Sequence, residues 1–459
     1  MVMKSKRQLL IFPVSLIFCI NTFLCIWISN GYEIERFAWI SICQLIVHCI
    51  FVSCYCKQKI FILLFICFSW AFHCGQIAVC AFDLKGELFL PFYNYGTQED
   101  IYKAFIFYFG SQIFLTVGCI VGNNKSGKKK RSELTNIDLR SLALMLIVIG
   151  GIPRLYIDMS RLMLGLSSGY KAVYSFKTTS VSNSIAFMCD AGLILLLINS
   201  AKRKNCSGIY WFILVYKLIV ILSGARQEAF CFLIVWTVIY FWYIKKIKAI
   251  QKTLIAILSI VAVAFIDFVG TVRTDGFSFA LIANSFSLVN NSLIGDTLGE
   301  FGCAFSSLVV AINGYPRLYS FGYGKSYLAA ILSAVPKLVS AFPWLLESTT
   351  FTTMFSNTFS FGGSYLGEFY YNFSWGGIIA LYIVGYVIGR CQAAFERNDN
   401  TLDICWKAVI LIKMILFVRG YISDMAQSCI WLWIVIKLYK QFVLYNRKLN
   451  ITIRKGKYE

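Results

Sequence analysis

The chain opens at residues 1–28 with the segment MVMKSKRQLLIFPVSLIFCINTFLCIWI, and this segment indicates the fold class. A transmembrane α-helix needs about 20 consecutive, mostly apolar residues, and the run 8–28 meets that requirement directly after Lys4, Lys6 and Arg7. The run is too long for the apolar part of a signal peptide and has no small-residue cleavage site. It therefore predicts a retained first membrane helix.

The composition extends this interpretation to the whole chain. Of the 459 residues, 58% are hydrophobic and only 14% are charged, whereas an ordinary soluble domain is about 25% charged. So many apolar residues exceed what a core can hold, and the excess must face lipid. We therefore expect an all-α, polytopic membrane protein that forms one integral domain over residues 1–459, embedded in a lipid bilayer.

Two other classes are disfavoured by the charged and metal-binding residue types. The net charge is +21, but Lys and Arg occur in short clusters between apolar runs, so we expect no nucleic-acid partner. His48 and His73 both lie in apolar runs, and the spacing of the 17 cysteines suggests neither a zinc site nor a disulfide framework. We therefore expect no metal site.

Apolar runs of sufficient length predict about twelve transmembrane helices. If the N-terminus is cytoplasmic, every dense basic cluster also falls on the cytoplasmic side, as the positive-inside rule requires, and both termini are cytoplasmic. The predicted spans are 8–28, 36–56, 60–82, 102–122, 138–157, 183–201, 207–223, 227–244, 253–270, 370–390, 404–421 and 425–443.

Two long segments then lie on the extracytoplasmic side, at 154–182 and 271–369. The second segment separates the ninth and tenth predicted helices. Its apolar residues recur at roughly helical spacing and are interrupted by Gly and Pro. We expect it to form short amphipathic helices on the outer membrane surface that make a lid or cleft.

Four arginines fall at or near predicted outer helix ends, where the positive-inside rule disfavours them. Side chains that reach toward lipid headgroups explain any one of them equally well. Together they favour an anionic ligand, because guanidinium is permanently charged and matches phosphate oxygens in bidentate fashion. A lipid-linked diphosphate would suit such a site, since its tail stays in the bilayer. The four are Arg154, Arg226, Arg273 and Arg419.

The segment FGGSYLGEFYYNFSWGG at residues 361–377 is the most specific stretch of the chain. It combines glycines, one carboxylate at Glu368, one amide at Asn372 and several aromatic rings. Rings that cover sugar C–H faces, with polar groups that read hydroxyls, suit carbohydrate recognition. An aromatic belt at the membrane interface would explain the rings but not the glycines or Glu368.

Three stretches of this sequence resemble the Wzy-type oligosaccharide repeat-unit polymerases. They are LSGARQE at 222–228, GGSYLGEFYYNF at 362–373 and SFGYGKSY at 320–327. The similarity extends from about residue 140 onward, and the first hundred residues match only as generic membrane spans. The family usually has Gly directly after the small-residue–Arg pair, where this chain has Gln227.

The resemblance implies a metal-independent glycosyltransferase of the C-type architecture in the bacterial inner membrane. Such enzymes use undecaprenyl-diphosphate-linked oligosaccharide as both donor and acceptor and polymerise repeat units into O antigen, capsule or exopolysaccharide. No nucleotide sugar or cofactor is expected. A chain-length regulator and a repeat-unit flippase are the protein partners that it suggests.

The resemblance also implies roles for the arginines. The family's loop arginine corresponds to Arg226, and its C-terminal Arg-Gly corresponds to Arg419 and Gly420, whereas Arg154 and Arg273 fit by position alone. We expect Arg226 and Arg273, helped by Arg154 or Arg419, to hold the donor diphosphate and stabilise it as it leaves.

The remaining candidate residues are carboxylates and sugar-binding side chains. Glu368 is the expected general base for the acceptor hydroxyl, with Glu300 or Asp275 as the alternatives, if any side chain takes the proton. Tyr370 and Asn372 are expected to orient sugar rings, and Glu300 is also a candidate for binding substrate.

Two other functions remain open at this point. A flippase for lipid-linked oligosaccharide also has about twelve helices, but flippases usually show two similar halves, and the halves of this chain differ. An O-antigen ligase resembles the polymerases in architecture but generally has a histidine in its long periplasmic loop, and 271–369 contains none.

Two charges, Asp190 and Lys217, lie at mid-depth in neighbouring predicted spans. Unpaired charges inside a membrane are costly, so we expect these two side chains to pair and to have a structural role.

Overall fold

The computed structural model is built from α-helices, and no strand occurs in the part of the chain that it describes. Eight helical segments of the described residues are long and apolar enough to cross a membrane, and two of these segments each combine two consecutive helices. The polytopic all-α fold expected from the sequence is thus confirmed. The structure describes residues 2–28, 31–57, 59–124, 139–176, 178–200, 206–221, 226–245, 248, 293–346, 362–396 and 401–455.

The described helices are numbered here in chain order, and α8 continues as a short π-helix over Ile239–Ile244. Their bounds are α1 Val2–Ile28, α2 Ile34–Tyr55, α3 Ile60–Ala81, α4 Gln98–Asn124, α5 Arg140–Ser175, α6 Ser180–Ser200, α7 Cys206–Ile221, α8 Arg226–Val238, α9 Leu293–Phe301, α10 Cys303–Gly314, α11 Lys325–Leu332, α12 Pro343–Leu346, α13 Tyr365–Phe373, α14 Gly377–Glu396, α15 Thr401–Phe417 and α16 Ser423–Lys455.

Eleven of the twelve predicted spans coincide with described helices. The first, seventh and eighth coincide with the shorter apolar stretches Phe12–Ile28, Ser207–Ile221 and Gln227–Phe241, and the eleventh coincides with α15. The ninth predicted span, 253–270, lies outside the described residues. The count of twelve membrane crossings therefore stays a prediction.

The predicted outer loop from residue 154 to residue 182 is wrong over most of its length. Helix α5 does not end at residue 157, where the predicted span ends, but continues through Pro153 to Ser175, and Arg154 is 4% exposed within it. Proline usually ends a helix because it lacks an N–H, but membrane helices tolerate it when neighbouring groups satisfy the freed backbone.

The predicted extracytoplasmic segment 271–369 contains α9 to α12 among its described residues. Ile294–Gly314, which covers α9 and α10, is itself long and apolar enough to cross a membrane. Almost all of α10 is buried, and the Gln76 side chain of α3 donates to the Gly299 carbonyl at 2.9 Å. These two helices therefore pack into the protein core, and the side of the membrane on which 271–369 lies stays a prediction.

Glycines bring α4 and α14 into backbone contact. Gly118 and Gly122 on α4 face α14, and Gly385 and Gly389 on α14 face α4. A Cβ added at Gly118 would overlap the carbonyl oxygen of Tyr382, and the other three glycines are equally close to the partner backbone. This is the close helix packing that small residues at every fourth position allow in membranes.

A buried polar network positions the start of α13. His73 Nδ1 lies 2.9 Å from the Ser69 carbonyl oxygen, so Nδ1 donates there and Nε2 accepts from the Ser364 hydroxyl at 2.9 Å. Ser364 caps α13 by accepting from the Gly367 amide. The Tyr365 hydroxyl lies 2.7 Å from the Ser69 hydroxyl. The N-terminus of α13 is therefore tied to α3.

We predict that Gly118→Ala lowers the thermal stability of the purified protein in detergent, because the new methyl group would force α4 and α14 apart. Overpacking of this kind costs about 1–3 kcal/mol. Gly151→Ala is the matched control, because a Cβ at Gly151 meets nothing within 4 Å. Equal melting temperatures for the two variants in fluorescence-detected size-exclusion assays would contradict this prediction.

Candidate functional site

Four charged side chains from α5, α6 and α7 meet inside the bundle, and we call them the inner quartet: Arg154, Asp158, Asp190 and Lys217. Lys217 Nζ donates to Asp190 Oδ1 at 2.8 Å, and Arg154 Nε donates to Asp158 Oδ2 at 3.0 Å. Arg154 Nη1 lies 3.4 Å from Asp190 Oδ2 and joins the two pairs. The predicted Asp190–Lys217 pair is confirmed.

The inner quartet is closed to solvent and balanced in charge. None of its members is more than 4% exposed, and two cations face two carboxylates. The Tyr216 hydroxyl also donates to Asp158, and the Lys217 ammonium lies 4.8 Å from the centre of the Phe232 ring. Charges are removed from water without large cost only when they are paired in this way. The quartet therefore acts as a structural joint between three helices.

A second group of charges lies beside the quartet and opens toward the surface. Glu228, in the first turn of α8, is 31% exposed and accepts a hydrogen bond from Arg154 Nη1 at 3.3 Å. Lys413 Nζ on α15 lies 3.8 Å from Glu228 Oε1, and Arg161 Nη1 on α5 lies 3.9 Å from Glu228 Oε2. We call Lys413 and Arg161 the outer cation pair. Three cations thus converge on one partly exposed carboxylate.

Glu368 on α13 is fully buried, and both of its carboxylate oxygens are engaged. Oε1 accepts from the Ser326 hydroxyl at 2.6 Å, and Oε2 accepts from the backbone amide of Ile422 at 2.9 Å. The side chain is 0% exposed. Glu368 therefore joins α11 and α13 to residues 418–422, the turn between α15 and α16 that carries Arg419.

Asn372 and Tyr370, the two predicted sugar-binding residues, are also buried. The Asn372 side chain donates to the Ser326 hydroxyl at 2.7 Å and accepts from the Gly324 amide at 3.0 Å. The Tyr370 ring packs edge-on against Phe107, with ring centres 5.3 Å apart. In this structure both side chains hold α13 in place, and their predicted contact with sugar stays a prediction.

Arg419 and Glu300 lie near one buried residue. The charges of both act on the Cys303 thiol at the start of α10, and both side chains have partners within the protein. Asp424, at the start of α16, lies within electrostatic range of Lys413 and Glu228. It also lies within electrostatic range of Glu368. The two polar centres, around Glu228 and around Glu368, are therefore neighbours.

Three candidate side chains lie outside the described residues. Arg226 is the first residue of α8, but its side chain lies outside the described residues. Arg273 and Asp275 lie outside them entirely. Of the expected diphosphate ligands, Arg154 lies beside Glu228. Arg226 begins α8, the helix that also contains Glu228.

A family model described as O-antigen polysaccharide polymerase Wzy matches residues 10–448, nearly the whole chain. The chain belongs to the Wzy family. It is a multi-pass membrane polymerase that acts on lipid-linked oligosaccharide repeat units, and the match favours neither the flippase nor the ligase alternative. No curated protein and no solved structure matches the chain.

Sequence reasoning missed three charged residues of this Wzy polymerase, namely Glu228, Arg161 and Lys413. Lys413 carried a usable signal, because it is a charge inside an apolar run, as Asp190 and Lys217 are. Glu228 lies in the stretch 222–228 that shows the family resemblance, two residues after Arg226. Within the described residues, no group of three or more His, Cys, Asp or Glu side chains could hold a metal ion.

We predict that Asp190→Asn and Lys217→Met each reduce the folded yield of this Wzy polymerase, while the double variant recovers most of it. Each single change leaves a buried charge uncompensated, which costs about 3–5 kcal/mol, whereas a neutral pair leaves none. Folded yield is measured by size-exclusion chromatography after membrane extraction. A double variant no better than the worse single variant would contradict this prediction.

Proposed function

We propose that this Wzy polymerase is a glycosyltransferase that extends undecaprenyl-diphosphate-linked glycans at the outer face of the bacterial inner membrane. It would transfer the growing chain from its lipid diphosphate to the non-reducing end of a new lipid-linked repeat unit. Family membership supports this function. The observation in the structure that carries it is the convergence of Arg154, Arg161 and Lys413 on a partly exposed position.

The proposed reaction balances without another reactant. An acceptor hydroxyl oxygen attacks the anomeric carbon of the donor glycan and forms the new glycosidic bond. The bond from that carbon to the diphosphate oxygen breaks, and the diphosphate leaves with the electron pair. The hydroxyl proton goes to a basic side chain or to the departing diphosphate. Negative charge grows on the diphosphate in the transition state, which fixed cations stabilise most effectively.

The N-terminus of α8 is well suited to hold this diphosphate. Helix N-termini bind anions because their first amides are unpaired and the helix dipole is positive there. Helix α8 begins at Arg226, and Glu228 in its first turn is the carboxylate on which the three cations converge. We infer that Arg226 contributes the further cation that the family resemblance implies. Arg273 and Arg419 remain proposed contributors.

The surroundings of Glu368 favour a positioning role over the role of general base. A base must reach the acceptor hydroxyl, and the Glu368 carboxylate is fully buried with both oxygens already accepting hydrogen bonds. We infer that Glu368 positions the turn that carries Arg419. The departing diphosphate is then the proton acceptor that needs no further side chain.

The other proposed features follow the positive-inside rule and the family resemblance. With both termini cytoplasmic, α8 begins at the outer membrane face, where the lipid-linked repeat units would arrive. A chain-length regulator and a repeat-unit flippase are the proposed protein partners. The proposed reaction has no step that requires a metal ion or a cofactor.

We predict that Arg226→Ala abolishes long polymer while single capped repeat units remain, because loss of one cation at a developing oxyanion slows such reactions about 10²–10³-fold. Product lengths are compared on gels of extracted polysaccharide, with protein amounts measured by immunoblot. Arg36→Ala is the matched control, because Arg36 pairs with Glu33 at the start of α2. Wild-type chain length in Arg226→Ala would remove Arg226 from the mechanism.

We predict that Glu368→Gln raises KM for the lipid-linked donor while kcat stays within about threefold of the wild-type value, because the Arg419 turn loses one anchor. Turnover is measured on purified protein with lipid-linked substrate. Ser326→Ala, which removes one hydrogen bond but keeps the carboxylate, should show the same pattern. A fall in kcat of about 10²–10⁴-fold in Glu368→Gln alone, at unchanged melting temperature, would instead support the base assignment.

A further inference from the structure

The ion pairs at the charged centre fall into a tight group and a loose group. Within the inner quartet, donor and acceptor atoms are 2.8–3.4 Å apart. The outer cation pair lies 3.8 and 3.9 Å from Glu228, beyond the usual length of an N–H···O hydrogen bond. Lys413 and Arg161 therefore share one carboxylate, and neither makes a close contact with it.

Two members of the loose group are also partly exposed, whereas Lys413 is 6% exposed. Glu228 is 31% exposed and Arg161 is 22% exposed, whereas the inner quartet is closed. Asp424 adds a more distant negative charge near Lys413, but its Oδ2 already accepts the Tyr421 amide at 3.0 Å. Lys413 is buried beside Glu228, so an anion that contacts both cations at once would occupy the position of the Glu228 carboxylate.

We propose that Glu228 is a displaceable internal anion, which holds the outer cation pair in place until the donor diphosphate takes over its contacts. This inference rests on the proposed function and adds to it two diphosphate ligands, Lys413 and Arg161, and a competitor for them. The ligand class is a diphosphate monoester or diester whose oxygens would contact Lys413, Arg161 and the first amides of α8.

The exchange is favourable because a diphosphate carries more charge and more acceptor oxygens than one carboxylate. Charge-assisted bonds to arginine are strongest when they are short and bidentate, and Glu228 offers Arg161 only one distant oxygen. Glu228 also keeps the cations near their binding positions, so that little reorganisation is needed on binding. After transfer, the same carboxylate competes with the product diphosphate and favours its release.

The test measures binding of inorganic pyrophosphate to the full-length protein in detergent by isothermal titration calorimetry at low salt. Glu228→Gln removes the competing charge and should lower Kd about tenfold. Lys413→Gln should raise Kd by about the same factor. Glu99→Gln is the matched control, because Glu99 on α4 is 73% exposed and pairs with Lys103, and it should leave Kd unchanged.

One further variant keeps the inference falsifiable. If Glu228→Gln does not fold, Glu228→Asp replaces it, because the shorter side chain keeps the charge but retreats from the cations, and it should also bind pyrophosphate more tightly than wild type. Unchanged or weaker binding in a folded Glu228 variant would overturn the proposal, as would an unchanged Kd in Lys413→Gln.

The proposed function is judged separately, by extension of lipid-linked repeat units by the wild-type protein. If wild type extends these units but the Glu228 variants bind pyrophosphate no more tightly, the exchange fails and the function stands. If wild type does not extend them, the proposed function fails, whatever the pyrophosphate data show.

Discussion

Compensation of charge inside an apolar bundle is the constraint on which the rest of this structure depends. Arg154, Lys217 and their two carboxylates cannot be left singly in a medium of low dielectric constant, so α5, α6 and α7 are held in the one arrangement that pairs them. The pairing is complete within the inner quartet and incomplete around Glu228. Function is proposed at the place where compensation is incomplete.

Hydropathy alone predicted most of the helices, because the length and apolarity of a span are local properties of the sequence. Hydropathy failed where the same apolar pattern is compatible with more than one structure. The predicted fifth span ends at residue 157, yet α5 continues to Ser175. The helical spacing of apolar residues in 271–369 suggested helices on the membrane surface, yet α10 is buried against α13 and α3. In both cases packing against other segments of the chain decides the structure. The hydropathy of a single span does not indicate which segments it will contact.

The candidate site was predictable only in part for the same reason. Asp190 and Lys217 were identified because each is a charge in an apolar run and the two runs are consecutive. Glu228 and Lys413 were not identified, because their helices are far apart in the sequence. The region of the Arg419 turn interacts with both polar centres, since Glu368 accepts from the Ile422 amide and Asp424 lies within electrostatic range of Lys413. Motifs that are separate in sequence thus share one region of the fold.

The joint between the N-terminal helices and the last third of the chain has a consequence for biosynthesis. Gln112 of α4 donates to the Tyr365 hydroxyl, 253 residues later in the chain. The glycine face of α4 packs against α14, which is also synthesised much later. A ribosome adds about 5–20 residues per second, so α4 spends roughly 10–50 s in the bilayer before these partners emerge. During that interval its amide and glycine surfaces are open to lipid or to a chaperone, and the core of the protein closes only near the end of translation.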